Sequence, residues 1–329
     1  MTSAPGAPVA ATPSPTPSPR AGIVGALFAI ASDIKLAHSV FALPFAILAA
    51  FLARPLPAPD ATSSGWARFA GQLALVVACM VLARTWAMLI NRIVDRRLDA
   101  ENQRTKARVF AAGAASPILG WALAALCALL FVAAASLFRV FYQNSWPLYL
   151  AIPLLAWLAL YSWTKRFTAL CHLVLGISLA ISPIAAALAI NPPALLQTPT
   201  LWWMAGFIAL WVGGFDVIYS LQDEDFDRAK GLFSIPTRFG TAGAINTARS
   251  AHAAAFVALL ASWTSDPRLG WLYGAGVACV AALLITEHTL LTRSARGEGA
   301  KPRLHMVFFT LNGVVSLIIG AAGCIDVLN

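Results

Sequence analysis

Charge is scarce in this chain: Asp, Glu, Lys and Arg make up 11% of its 329 residues, about half the share usual in a soluble domain. Cysteine is sparse too. The five thiols, Cys79, Cys127, Cys171, Cys279 and Cys324, are odd in number, widely spaced and set in apolar stretches. That pattern excludes a disulfide framework and reads as small core residues. Neither Cys nor His falls at metal-binding spacing, so a zinc-type site has no support. Hydrophobic residues, by contrast, reach 59%, and mean hydropathy is +0.74. This balance argues against a soluble enzyme, a secreted scaffold or a disordered chain. Runs near 20 apolar residues, enough to cross about 30 Å of hydrocarbon, predict an all-α, multi-pass integral membrane protein.

Residues 1–20 are rich in Pro, Ser, Thr and Ala, with one charge at Arg20. They lack the basic start of a signal peptide, so a disordered, uncleaved tail is predicted. Residues 21–329 read as a single intramembrane domain, opening with a short interfacial helix over 21–33. Nine spans follow, near 37–53, 69–90, 116–138, 146–163, 169–190, 200–221, 243–263, 270–291 and 305–325. Pro55, Pro57, Pro59, Pro192, Pro193 and Pro267 mark joints, and Pro44 should kink the first span. The net charge of +9 needs no nucleic acid to explain it. One set of alternate loops holds 17 of the 23 basic side chains, the other only Arg54, Arg68, Arg139 and Arg268, with Arg84 and Arg249 inside spans. The rule that basic loops stay inside then puts the N-terminus in the cytoplasm and the C-terminus outside, in a bacterial inner membrane.

The few acids are concentrated. Eight of the 14 fall in two stretches, Asn91–Glu101 and Asp216–Asp227, both at cytoplasmic ends of even-numbered spans. Asn91, Asp95 and Asp99 step by four and share one helix face. Asp216, Tyr219, Asp223 and Asp227 step by three, four and four, again one face. Converging acids near hydrocarbon repel each other and call for a cation. Hard oxygen donors suit Mg²⁺, which commonly bridges phosphates. Arg104, Lys106 and Arg108, then Tyr161, Lys165 and Arg166, then Arg228 and Lys230 lie at the same membrane face. Together these describe a diphosphate site opening into a lipid-level cavity.

Simpler readings exist. Asp95 could pair locally with Arg92 or Arg96, and either stretch alone reads as a solvated helix cap. Lys35 and His38, near the first span, are weaker candidates, and Asn312 suits an interhelical hydrogen bond. A transporter would show repeats and mid-membrane ionisable sites, whereas these acids sit at one face. The Asp-Gly-x-x-Ala-Arg pattern of phosphatidyl transfer is absent.

These residues resemble the UbiA superfamily of intramembrane aromatic prenyltransferases. Its first motif matches Asn91, Asp95 and Asp99, followed by Asn102, Arg104, Thr105 and Arg108. Its second motif matches Asp223 and Asp227, and its Tyr-x-x-x-Lys element matches Tyr161 and Lys165. Lys35-x-x-His38-Ser-x-Phe-Ala-Leu-Pro-Phe45 looks like the family's first helix. One departure is Val109-Phe-Ala-Ala-Gly113, where relatives often have Pro-Leu-Pro-x-Gly.

The resemblance implies a nine-helix bundle with a central cavity, two Mg²⁺ ions, a polyprenyl diphosphate donor and an aromatic acid acceptor alkylated at ring carbon. The acceptor implied is of the 4-hydroxybenzoate type, with a dihydroxynaphthoate of menaquinone synthesis as the alternative; both belong to quinone pathways. It assigns Asn91, Asp95 and Asp99 to one ion and Asp223 and Asp227 to the other. Arg104, Arg108, Lys165, Arg166 and Arg228 would bind diphosphate, and Asp223 and Tyr219 would act at the reacting carbon, with Tyr161 and Asp216 as further candidates.

Overall fold

The computed structural model describes residues 22–34, 41–54, 63–295 and 301–329. The expected tail over 1–20, and with it Lys35 and His38, lie outside these residues. The described chain is helical, without strands. Its helices are α1 Ile23–Asp33, α2 Leu43–Ala53, α3 Ser63–Val94, α4 Arg96–Glu101, α5 Pro117–Tyr142, α6 Trp146–Thr164, α7 Cys171–Ile190, α8 Ala194–Gln197, α9 Thr200–Ser220, α10 Glu224–Ala229, α11 Ile235–Thr264, α12 Trp271–Ala295 and α13 Lys301–Leu328. A 3₁₀ turn, Leu221–Asp223, joins α9 to α10.

Local sequence sets the starts. Ser116 caps α5 by accepting from the Ile118 N–H at 3.2 Å, ahead of Pro117. Ser234 and Thr237 form a reciprocal capping box on α11, with Pro236 in its first turn. Proline suits these positions because the first helical N–H groups have no intrahelical partner. The same rule corrects the expectation for Pro44: it sits in the first turn of α2 and so begins that helix instead of kinking it.

Seven of the described helices are long and apolar enough to cross a bilayer, against nine predicted spans. The difference lies in two of them. α2 has only 11 residues, about 17 Å of rise, and part of the expected span 37–53 is outside the described residues. α11 carries Asn246, Arg249 and His252 within its membrane stretch, which lowers its hydropathy. Large apolar side chains such as Ile118, Leu129, Val140, Ile152 and Ile285 face outward, as a surface solvated by lipid requires.

α9 is the central post. Leu201, Met204, Phe207 and Trp211 are sealed against α2, α7 and α11, and Trp211 Nε1 donates to Asn312 Oδ1 of α13 at 2.8 Å, the interhelical bond expected of Asn312. The α7–α9 contact is backbone against backbone. A Cβ added at Gly176 would lie 2.0 Å from the Ala209 carbonyl oxygen. This approach registers α7 on α9 and brings His172 beside Asp216.

Gly176→Ala should therefore destabilise the protein by about 1–3 kcal/mol, the usual cost of overpacking, and lower the thermal unfolding midpoint in detergent. Gly206→Ala, where the nearest atom is 3.9 Å away, should leave it unchanged. Equal midpoints for the two variants would contradict this packing.

Candidate active site

Both acidic stretches open on one cavity of about 160 Å³. α3 ends just before Asp95 (φ −87°, ψ 0°), and α4 follows at once. Bonds from the Asp95 N–H to the Asn91 carbonyl (3.0 Å) and from the Asp99 N–H to the Asp95 carbonyl (2.8 Å) carry helical spacing through the break. The Asn91, Asp95, Asp99 face is thus kept. Opposite it stand Asp216 and Tyr219 of α9, Asp223 of the 3₁₀ turn and Asp227 of α10. Tyr161 and Lys165, from the end of α6, complete the wall with Arg104 and Arg108 of the α4–α5 connection. That connection turns at Gly113, whose φ of +70° glycine adopts without strain, and buries Val109 and Phe110.

The two stretches are tied to each other. Asn102 Nδ2 donates to Asp223 Oδ1 at 3.0 Å. Arg104 grips the same carboxylate through Nε (2.9 Å) and Nη2, while its Nη1 donates to the Tyr219 hydroxyl at 2.9 Å. Lys230 pairs with Glu101 at the rim. Burial opposes the charge of Arg104, but its bonds to Asp223 prevail and raise its pKa.

Arg108 Nη1 donates to Asp99 Oδ1 at 2.7 Å. Arg166 Nη2 donates to Asp95 Oδ1 at 2.8 Å, and the same guanidinium bonds the Ser162 and Val94 carbonyls. Burial raises the Asp95 pKa against the pull of Lys165 and Arg166. Asp95 does not pair with its neighbouring arginines: Arg92 Nε donates to Asp33 of α1 (3.1 Å), and Arg96 Nη1 to the Ile93 carbonyl (2.9 Å).

Two expected diphosphate ligands stand elsewhere. Arg166 is outside the cavity lining, drawn behind Asp95 by the carbonyls of two helix ends. Arg228 is 59% exposed and pairs with Glu224, one turn away, at 2.8 Å. Lys165, in contrast, lines the cavity and makes no ion pair among the described residues.

His172 is a site residue that the sequence reading passed over. It lies on α7, its Nδ1 2.7 Å from Asp216 Oδ2, and its Nε2 accepts from the Ile235 N–H at 3.3 Å. That second bond fixes the proton on Nδ1 and makes the ring a donor to Asp216. The available signal was an intramembrane carboxylate in need of a partner.

The donor chemistry suits a divalent ion. Five carboxylates on the wall, Asp95, Asp99, Asp216, Asp223 and Asp227, face three fixed cations, Arg104, Arg108 and Lys165. Asp99 Oδ2 is buried without a hydrogen-bond partner. Asp227, 7% exposed, has no ion pair among the described residues. Those residues contain no closed cage of three Asp, Glu, His or Cys side chains. Mg²⁺ does not need one, since it keeps several waters and takes one or two carboxylates plus substrate phosphates.

One helical turn deeper, the chemistry changes. A second cavity of about 450 Å³ runs between α3, α5, α6 and α7, lined by side chains such as Val76, Phe131, Leu154 and Leu179. Ala87 and Leu158 line it, one turn from Asn91 and Tyr161 on their respective helices. Arg84 is the charged residue on its wall, and Arg84 Nε is buried without a hydrogen-bond partner.

The sequence profile of the UbiA prenyltransferase family matches residues 42–313. The 4-hydroxybenzoate octaprenyltransferase of Stutzerimonas stutzeri is 30% identical over 194 residues, 58% of this chain and 62% of that protein. The chain therefore spans less than two thirds of that relative's length. The enzyme of the same name from Psychromonas ingrahamii is 28% identical, over 66% of this chain and 72% of its own. An apo UbiA homolog from Aeropyrum pernix K1 superposes with a TM-score of 0.74 at 32% identity, covering 89% of this chain and 98% of the other. A UbiA homolog from Archaeoglobus fulgidus bound to GPP and Mg²⁺ shares the fold at a TM-score of 0.61 and 16% identity, over 93% of this chain and 100% of its own. With those helices and both acidic stretches inside the matched region, this chain belongs to the UbiA prenyltransferase family.

Proposed function

We propose that this protein transfers a polyprenyl group from polyprenyl diphosphate to a ring carbon of an aromatic acid of the 4-hydroxybenzoate type, with Mg²⁺. The observation that carries this reading is the pair of adjoining cavities. One is polar and sized for a head group; the other is apolar and lies at lipid depth. A diphosphate on a hydrocarbon tail matches both, and no water-soluble substrate needs the second.

Asn91, Asp95 and Asp99 would hold one Mg²⁺, and Asp223 and Asp227 a second. Bound there, Mg²⁺ supplies charge neutralisation for the departing diphosphate. Lys165, without an ion pair, is the cation most available for phosphate oxygens. Arg104 and Arg108 join it by exchanging a carboxylate for a phosphate, two acceptors that a guanidinium binds in similar fashion. The apolar walls exclude water from the allylic cation that forms when the carbon–oxygen bond breaks.

Arg84 takes the acceptor's carboxylate: a buried cation with an unfilled donor is costly until an anion reaches it. Asp223, held by Arg104 and Asn102 until phosphate takes the arginine, would then be available to the second Mg²⁺ and with Tyr219 would orient the reactants. Asp216 lines the cavity with only Oδ2 engaged by His172, so its Oδ1 is placed to receive the proton lost from the ring. With basic loops inside, this chemistry faces the cytoplasm.

Membranes supplied with Mg²⁺, a polyprenyl diphosphate and 4-hydroxybenzoate should yield a product heavier by the prenyl group, read by mass spectrometry. A naphthoate product alone would redirect the acceptor assignment. Asp95→Asn and Asp227→Asn should each cut turnover by about a hundredfold or more, the scale of a lost transition-state electrostatic group, and normal turnover would overturn the reading.

Neighbouring Lys165 and Arg166 should separate cleanly. Lys165→Ala should raise the donor KM by roughly tenfold or more, as loss of a charge-assisted bond does, with little change in thermal midpoint. Arg166→Ala should destabilise by about 2–3 kcal/mol by stranding buried Asp95. Similar behaviour of the two variants would refute the division.

Arg84→Gln should raise the acceptor KM and leave the donor KM unchanged, and 4-hydroxybenzamide should lose its disadvantage against the acid in that variant. An unchanged preference for the acid would remove Arg84 from the acceptor site.

A further inference from the structure

The opposite end of the bundle holds a second built cavity. Gln72 and Asn91 are nineteen residues apart on α3, about 28 Å of helix rise, so the two ends are separated by roughly the hydrocarbon thickness. At this far end the start of α3, the α5–α6 joint and the end of α7 enclose about 560 Å³.

Its floor is already satisfied. Asn144 Nδ2 donates to the Leu188 and Ala189 carbonyls at 2.8 and 3.0 Å, and Gln72 Nε2 to the Ile190 carbonyl at 3.4 Å. Its cations are not. Arg54 and Arg68 both line the cavity, and neither has a carboxylate partner among the described residues. Arg268, a basic residue on the same side, shows the contrast: it is paired with Asp266 at 2.7 Å.

Among the described residues, the two guanidinium groups are held by aromatic faces instead. Arg54 lies 3.8 Å from the centroid of Trp66, and Arg68 lies 5.1 Å from that of Tyr142. Stacking of this kind fixes the group yet leaves its N–H donors free in the ring plane. Tyr142 in turn fits across α3 only because position 71 is glycine; a Cβ there would meet its hydroxyl at 2.3 Å. That hydroxyl makes no hydrogen bond among the described residues. Exposed Trp146 and Tyr149 line the cavity, and exposed Trp66 lies against its Arg54, as rings that meet lipid head groups do.

We infer that this cavity binds the phosphodiester head group of an anionic phospholipid, through Arg54, Arg68 and the Tyr142 hydroxyl. Two preorganised guanidinium groups without counter-ions among the described residues, opening at an interfacial aromatic rim, select a phosphate at the membrane surface. A neutral carbonyl would offset neither positive charge, and a zwitterionic head group would bring a cation of its own beside the two arginines. The occupant is a lipid and not a free phosphate because the rim opens where acyl chains must lie. The site is independent of the transfer chemistry at the other end.

The test uses the full chain in detergent micelles doped with dioleoylphosphatidylglycerol or dioleoylphosphatidylcholine, read by native mass spectrometry and thermal unfolding. The wild type should retain the anionic lipid over the zwitterionic one by roughly tenfold or more, from two basic contacts. Only the anionic lipid should raise its unfolding midpoint. Arg68→Gln, at an exposed position that tolerates substitution, should cut the preference several-fold, and the double variant Arg54→Gln/Arg68→Gln should abolish it. Arg139→Gln, outside the cavity lining, should keep it. No preference in the wild type, or a preference that survives the double variant, would overturn the inference. Equal protection by millimolar glycerol 3-phosphate would overturn the assignment to lipid.

Discussion

The arrangement of this protein turns on gathering carboxylates where the medium resists charge. At 4 Å, two like charges repel by about 4 kcal/mol at an effective dielectric near 20, and Asp95, Asp99 and Asp227 are each less than a tenth exposed. The fold answers with arginines drawn from other elements: Arg166 on Asp95, Arg108 on Asp99, Arg104 on Asp223. These pairs do not close the account of charge, since the wall keeps more acids than cations. What is left over, Asp227 and the second oxygen of Asp99, is the part of the site that the proposed Mg²⁺ would engage. On the proposed reading, an excess that a purely structural cluster would have removed is the property that recruits the ion.

Packing one to two turns along the same helices keeps this balance in register. α9 carries Asp216 and Tyr219, while α7 carries His172; their alignment depends on the contact at Gly176 and Ala209. A shift of one turn along α7 would take His172 from Asp216 and leave an intramembrane carboxylate without its donor. Small residues in the membrane interior are therefore as much a part of the site as the acids at its mouth.

What the sequence could express was spacing. Asn91, Asp95 and Asp99 lie on one face because helical hydrogen bonding persists through the break at Asp95, and four-residue steps carry that information. Spans announced by uninterrupted apolar runs were equally legible; α11, where Arg249 and His252 dilute the signal, was less so. Partnership between helices was not legible. Nothing in the run Lys165-Arg166 says that one side chain faces the cavity and the other turns behind Asp95, because the choice is made by the Ser162 and Val94 carbonyls, which belong to two different helices. Arg228 illustrates the converse. Its neighbourhood in sequence is the second acidic stretch, yet Glu224 one turn back takes it to the surface. Asp33 and Arg92, 59 positions apart, meet only because α1 folds back on the end of α3.

Arg84 shows how a residue can be visible in sequence and still not be read. An arginine inside a predicted span is costly wherever it sits, so its presence alone marks function or a hidden partner. The structure removes the second option for Nε, which is buried and unbonded. It also puts the side chain on the wall of the apolar cavity, two turns before Asn91 on α3. A cation at that level divides the membrane interior into a region for hydrocarbon and a region for phosphate. Any anionic ring entering between them would be held with its far edge toward the bond that breaks. On the proposed reading, orientation of the acceptor follows from where a single positive charge can be neutralised, without a dedicated set of ring contacts.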